Sequence, residues 1–248
     1  YLSTGGSFAD LCYMAGLFTA MSALVVAGKS GFFSYDIHTS GKRILRPTLK
    51  WLFSFSSSRP PQTPPNRPVI VCANHTSYLD ALALSVTYPK KISWMVTERF
   101  YDSKLFGSAL RQAGCIRVSG DGSNKAALKS GLKALKERKV LGLFPEGKLS
   151  KDGNICEDIE NGVAYMALKT NAVIVPAAFH GAFEAYPYNR ALPRLFQRVR
   201  LKYGDVIDPQ KQFGGKMNKE AIQQLSDRVM REIKNLQEEL ITDPGELL

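Results

Sequence analysis

A histidine beside a carboxylate can take a proton from a hydroxyl. This chain places the two together in Asn74-His75-Thr76-Ser77-Tyr78-Leu79-Asp80. His75 and Asp80 are five positions apart, a spacing that does not share one face of a regular helix. Across a loop that is turning into a helix, the histidine can fold back onto the carboxylate. Asp80 then keeps one ring nitrogen protonated and leaves the other free to act as a base. His75 is the only one of the three histidines with a carboxylate suitably placed; His38 lies among basic residues and His180 follows an apolar run. Plainer readings fit the same residues. Ser77-x-x-Asp80 resembles a helix-capping arrangement. His75 can be an ordinary loop histidine, and Asn74-His75-Thr76 also matches a glycosylation sequon.

The elements that must position this pair follow from hydrophobic patterning. Short apolar runs predict strands at 69–73, 92–97, 115–118, 140–144, 173–179 and 198–203. Helical spacing is read at 124–139 (Leu128, Leu132, Leu135, with Ser123 or Asn124 as cap), at 161–169 ending at Asn171, and at 218–240. In the last, Ile222, Leu225, Val229, Ile233, Leu236 and Leu240 form one stripe, a core-packing feature. This alternation predicts an α/β fold with a mostly parallel central sheet flanked by helices. Ligands of such sheets lie beyond the carboxyl ends of the strands. His75 falls just past one such end, and Glu146, in Phe144-Pro145-Glu146-Gly147-Lys148-Leu149-Ser150, just past another.

Asn-His-x-x-x-x-Asp followed by Phe-Pro-Glu-Gly, each at the end of a strand, resembles the glycerolipid acyltransferase family, typified by lysophosphatidate acyltransferases. The likeness covers about residues 67–208. It implies that His75 is the general base, that Asp80 orients it, and that Glu146 and Gly147 position the glycerol part of the acceptor. The family commonly continues Phe-Pro-Glu-Gly-Thr-Arg-Ser. Here Lys148 and Leu149 stand in the threonine and arginine places, so Lys148 supplies a point charge where the family has a bidentate fork. A third family block usually ends in arginine, but the matching run, Gly114 to Gly120, carries only Arg117, three places earlier. Arg117 is read either as a phosphate ligand or as a solvated strand charge. Val173 to Ala177 matches a fourth block. No Gly-x-Ser-x-Gly is present, so no covalent acyl-enzyme is expected.

The 248 residues suffice for one sizeable core, and the formal net charge of +11 suits an anionic partner. No stacking-aromatic motif accompanies that charge, and nucleic acid is not expected as a partner. The four cysteines show no metal-ligand spacing; Cys72 and Cys115 read as core residues in a reducing compartment. No metal and no cofactor is expected, with acyl-CoA or acyl carrier protein as co-substrate. The chain opens on Tyr1 rather than Met, so residues upstream or a trimmed start are expected. Residues 11–28 carry no charge and read as a spanning or re-entrant membrane helix, with a buried core helix as the alternative. Between 29 and 67 there are seven basic residues and one acid. That bias predicts a phospholipid surface as partner and a catalytic domain on the cytoplasmic side of the membrane. Ile44 to Phe55 has an interfacial-helix composition in which Pro47 restricts where the helix can begin. The Ser/Pro/Arg stretch 56–68 reads as a connector without a core-forming pattern. The expected division is therefore 1–58, a membrane-associated helical segment and basic connector, and 59–248, the α/β acyltransferase domain. Five basic residues without an acid between Arg190 and Lys202 suit headgroups, coenzyme A phosphates or an acyl carrier protein.

Together these features predict a membrane-bound O-acyltransferase that moves a fatty acyl group from a thioester to the hydroxyl of lysophosphatidate in phospholipid biosynthesis. The altered Lys148-Leu149 keeps open another lysophospholipid or lipid acceptor. An esterase using water, and a non-catalytic lipid-binding membrane protein, leave the paired motifs without a joint purpose.

Overall fold

The computed structural model describes residues 37–104, 107–118, 124–156, 160–190 and 192–243. A seven-stranded sheet runs through it, built from β1 (Ser56–Ser57), β2 (Val69–Ala73), β3 (Ile92–Thr97), β4 (Ile116–Val118), β5 (Val140–Leu143), β6 (Val173–His180) and β7 (Arg200–Tyr203). The spatial order is β1-β7-β6-β2-β5-β3-β4. Every pairing is parallel except β6 with β7. The six strands expected from the sequence are present within two residues at each end. Only β1 was not expected.

Burial alternates along the strands as a pleated sheet requires. Val69, Val71 and Ala73 face one apolar layer, while Ile70 and Cys72 face another. The first layer is covered by α1 (Ile37–Phe53) and α2 (Leu79–Thr87). The second is covered by α5 (Asn124–Lys136), α6 (Gly162–Thr170) and α9 (Lys219–Thr242). Short helices α3 (Glu98–Tyr101), α4 (Gly107–Gln112), α7 (Ala182–Ala185) and α8 (Pro209–Phe213) fill the connections. The stripe read on the last helix is its core face: Leu225, Val229, Ile233, Leu236 and Leu240 are buried and Ile222 partly so. Asn171, in the left-handed conformation (φ 54°), ends α6. Cys72 is buried in the core, where desolvation pushes its thiol up to about 12.

The N-terminal part departs from the sequence expectation. Pro47 lies inside α1 rather than restricting its start. The buried anchors Leu49 and Phe53 outweigh the hydrogen bond that the proline forfeits. The first residues of the 56–68 connector also join the sheet. Ser56 and Ser57 pair with Arg200 and Leu201, and Phe55 is buried in the same layer as β2 and β6. The stretch from 49 to 58 thus packs as part of the α/β domain. The apolar run 11–28 lies outside the described residues. Among the described residues, no helix is long and apolar enough to cross a membrane.

Candidate active site

β2 and β5 are neighbours in register, with Cys72 beside Leu143. Their carboxyl-terminal loops therefore leave the sheet side by side. This is the reason His75 and Glu146, 71 positions apart, come together.

His75 folds back as its spacing allows. Its Nδ1 lies 3.1 Å from Asp80 Oδ2. Asp80 is fully buried in the first turn of α2, and the same Oδ2 accepts the amides of Thr76 (2.7 Å) and Ser77 (2.8 Å). The capping and catalytic readings of this residue are compatible: Asp80 reaches back to the Ser77 amide as a capping box does, and holds the imidazole with the same oxygen. Ser77 Oγ accepts the Leu79 amide (3.1 Å) and donates to the Tyr186 carbonyl (2.8 Å). Asn74 is bonded on both sides to Phe179, its Nδ2 donating to the carbonyl (3.1 Å) and its Oδ1 accepting the amide (2.7 Å), which ties the loop to β6. Burial pushes the Asp80 carboxyl above its ordinary value, opposed first by the hydrogen bond from His75. With Nδ1 turned to a carboxylate oxygen, the Nδ1–H tautomer follows, and Nε2 is left as the proton acceptor.

Glu146 is 3% exposed. Its Oε1 accepts the His75 amide (2.7 Å) and its Oε2 the Cys156 amide (2.8 Å). Burial raises its carboxyl, and these two amides oppose the rise. Gly147 turns the chain at φ +64°, and a Cβ there would lie 2.9 Å from the Glu160 carboxyl group. Lys148 follows it, exposed.

An aromatic stack backs the imidazole. The Phe144 ring lies on the His75 ring with centroids 3.7 Å apart and planes 6° from parallel, and Trp94 stacks on Phe144 at 5.1 Å. Gly142 makes the room: a Cβ there would sit 2.7 Å from the Trp94 ring. Trp94 Nε1 donates to Ser85 Oγ (2.8 Å), which fixes the indole against α2.

Arg117 is not gathered into this site. It lies on β4, three strands from β2, roughly 14 Å across the sheet. Its guanidinium is held by Asp102 (2.8 Å) and Glu98 (2.9 Å). The hydrogen bond to Asp102 raises its pKa further. A phosphate would have to displace two carboxylates, so the structure favours the strand-charge reading. The sequence gives no role to Phe144, Ser150 or Trp94, and reads Asn74 and Ser77 only as parts of a sequon and a helix cap. All but Trp94 lie inside the two motifs, so position in a motif was the available signal.

An α/β domain with a His–Asp pair at the carboxyl end of a central strand is a scaffold suited to transfer onto a hydroxyl. Comparison with known proteins gives the class. The sequence pattern of the acyltransferase family matches residues 54–180, just over half of the chain. The chain belongs to that family, and its chemistry is O-acyl transfer. It is 24% identical over 174 residues to the 1-acyl-sn-glycerol-3-phosphate acyltransferase of Bacillus subtilis, a match covering 69% of this chain and 82% of that protein. It is 26% identical over 172 residues to the protein of the same name from Streptococcus pneumoniae, covering 68% of this chain and 61% of that one. It is 31% identical over 136 residues to the one from Helicobacter pylori, covering 53% and 56%. The crystal structure of PlsC, the 1-acyl-sn-glycerophosphate acyltransferase from Thermotoga maritima, superposes with a TM-score of 0.70 over 93% of this chain and 95% of that one. At 19% identity, that likeness speaks for the fold.

Proposed function

We propose that this protein transfers a fatty acyl group from a thioester, acyl-CoA or acyl carrier protein, to the free hydroxyl of lysophosphatidate, giving phosphatidate. The observation that carries the proposal is the contact of His75 Nδ1 with Asp80 Oδ2 at 3.1 Å, at the end of β2, in a chain whose curated relatives bear that activity's name. Nε2 takes the proton of the acceptor hydroxyl as its oxygen attacks the thioester carbonyl. The tetrahedral adduct then expels the thiolate, which receives that proton from the imidazolium. Asp80 holds the ring and balances its transient charge. No cofactor is needed, because the thioester already carries the activated acyl group.

The substrate and the surface belong together. Trp51 (71% exposed) and Phe196 (65% exposed) meet edge-on with centroids 6.3 Å apart. Exposed Arg46, Lys50, Arg190, Arg194 and Arg198 stand in the same two segments, and neither 37–55 nor 186–204 contains an acid. Exposed aromatic rings on cation-rich, acid-free segments suit an anionic phospholipid surface. This supports a membrane-associated enzyme with an N-terminal anchor ahead of α1 and the α/β domain on the cytoplasmic side. Gly147 and Lys148, exposed just after Glu146 in the same loop, are the residues proposed to meet the acceptor and its phosphate.

One observation favours a second reading. Lys148-Leu149 lacks the arginine fork, which loosens the demand for a phosphomonoester and admits another lysophospholipid. Incubation of the protein with acyl-CoA or acyl carrier protein thioester and a panel of lysophospholipids, followed by product lipid analysis, separates the two. Preferential formation of phosphatidate supports the first reading. Equal or better turnover of lysophospholipids without a terminal phosphate replaces it with the second.

A further inference from the structure

The segment 144–150 touches the base at more points than an acceptor-binding loop requires. Glu146 Oε1 accepts the His75 amide at 2.7 Å, and the Ser150 amide donates to the His75 carbonyl at 2.8 Å. The Phe144 ring covers the imidazole at 3.7 Å. One loop therefore holds both main-chain polar groups of His75 and one face of its ring. Glu146 spends its second oxygen on the Cys156 amide, which closes the loop on itself. At 3% exposed, with a main-chain donor on each oxygen, this carboxylate is turned inward, away from any diffusing glycerol.

We infer that Glu146 and Phe144 are positioning residues that set the register and plane of His75, and that Glu146 does not bind the acceptor. The residue type fits this role. Two amide donors need two acceptors, and a carboxylate has them. Glutamine has one, and would turn an NH2 group toward the other amide. A displacement of about 1 Å at a base costs on the order of 10²-fold in rate, with no reason for the affinity of a substrate to change.

The inference rests on the acyl-transfer reading, and its test separates the two. Turnover of lysophosphatidate by the wild type reports on the reading alone. Glu146→Gln is then compared with wild type and placed in a cycle with His75→Ala. The expected result is a kcat lower by ~10–100-fold, an acceptor KM within about twofold of wild type, and no further loss when the change is added to His75→Ala. A tenfold or greater rise in acceptor KM at near-normal kcat, or a loss that multiplies with His75→Ala, would overturn it. Phe144→Leu buries no new polar group and serves if Glu146→Gln folds poorly. It should lower kcat at constant KM, and a raised acceptor KM would count against the inference. Amide hydrogen exchange gives a readout without turnover. Exchange at His75 and Cys156 should quicken about tenfold or more in Glu146→Gln, and unchanged exchange would contradict the clamp.

Discussion

The two ends of the sheet treat their carboxylates in opposite ways. At the carboxyl end, Asp80 and Glu146 are buried against main-chain amides and one imidazole, and burial pushes both carboxyls up. At the amino end, Asp208 meets Arg67 at 2.6 Å, and its carboxyl is held below the ordinary range by that hydrogen bond. Arg67 also donates to the Asn171 carbonyl (3.1 Å) and Oδ1 (2.7 Å), tying the entry of β2 to the end of α6. The amino-end pair stabilises the fold. The carboxyl-end carboxylates are desolvated at a cost in stability and hold His75, the proposed base. On the proposed mechanism, activity and stability are carried by different ends, which makes the contrast testable.

The largest effect is expected at His75. His75→Ala should lower turnover by ~10²–10⁴-fold, the usual worth of a general base, while the thermal transition stays in place. Asp80→Asn comes next. It keeps one acceptor but loses the charge that selects the Nδ1–H tautomer, so turnover should fall by about 10²-fold or more. Its melting temperature should move little, because the buried charge it removes was disfavoured by burial. A large loss of stability in either variant would collapse the contrast. Arg67→Ala should do the reverse: stability falls by about 1–3 kcal/mol in denaturant unfolding and kcat is unchanged.

The smallest effect is the pH dependence. The folded pKa of Asp208 is depressed, so its contribution is present above the unfolded value near ~3.9 and is lost as pH falls through the folded value. Asp80 and Glu146 have raised folded values, so their contribution is present below the unfolded values and is lost as pH rises through the folded ones. Asp208→Asn should flatten the acid limb of melting temperature against pH, and an unaltered limb would remove Asp208 from the account.

Much of this was legible in the chain because two periodicities and two motifs agreed. Apolar runs at 69–73, 140–144 and 173–179 mark the central strands, and the fold-back of His75 onto Asp80 follows from a five-residue spacing at a helix start. What was not legible depends on pairing between distant residues. The strand at 56–57 is two residues long and exists because Arg200 and Leu201 lie beside it. Arg117 looked available until Glu98 and Asp102, brought round by α3, closed on it. Glu146 was expected to face the acceptor. Only the adjacency of β2 and β5 turns its oxygens to His75 and its own loop. The stack of Trp94, Phe144 and His75 crosses three strands, β3, β5 and β2, and no local pattern announces it.

In the proposed reaction, His75 delivers an acceptor hydroxyl to a thioester. Thiol release from acyl-CoA or an acyl carrier protein thioester, followed with and without lysophosphatidate for wild type and His75→Ala, tests it most directly. Release should require the acceptor in the wild type and disappear in the variant. Release that proceeds equally without acceptor, or that survives the loss of His75, would contradict it.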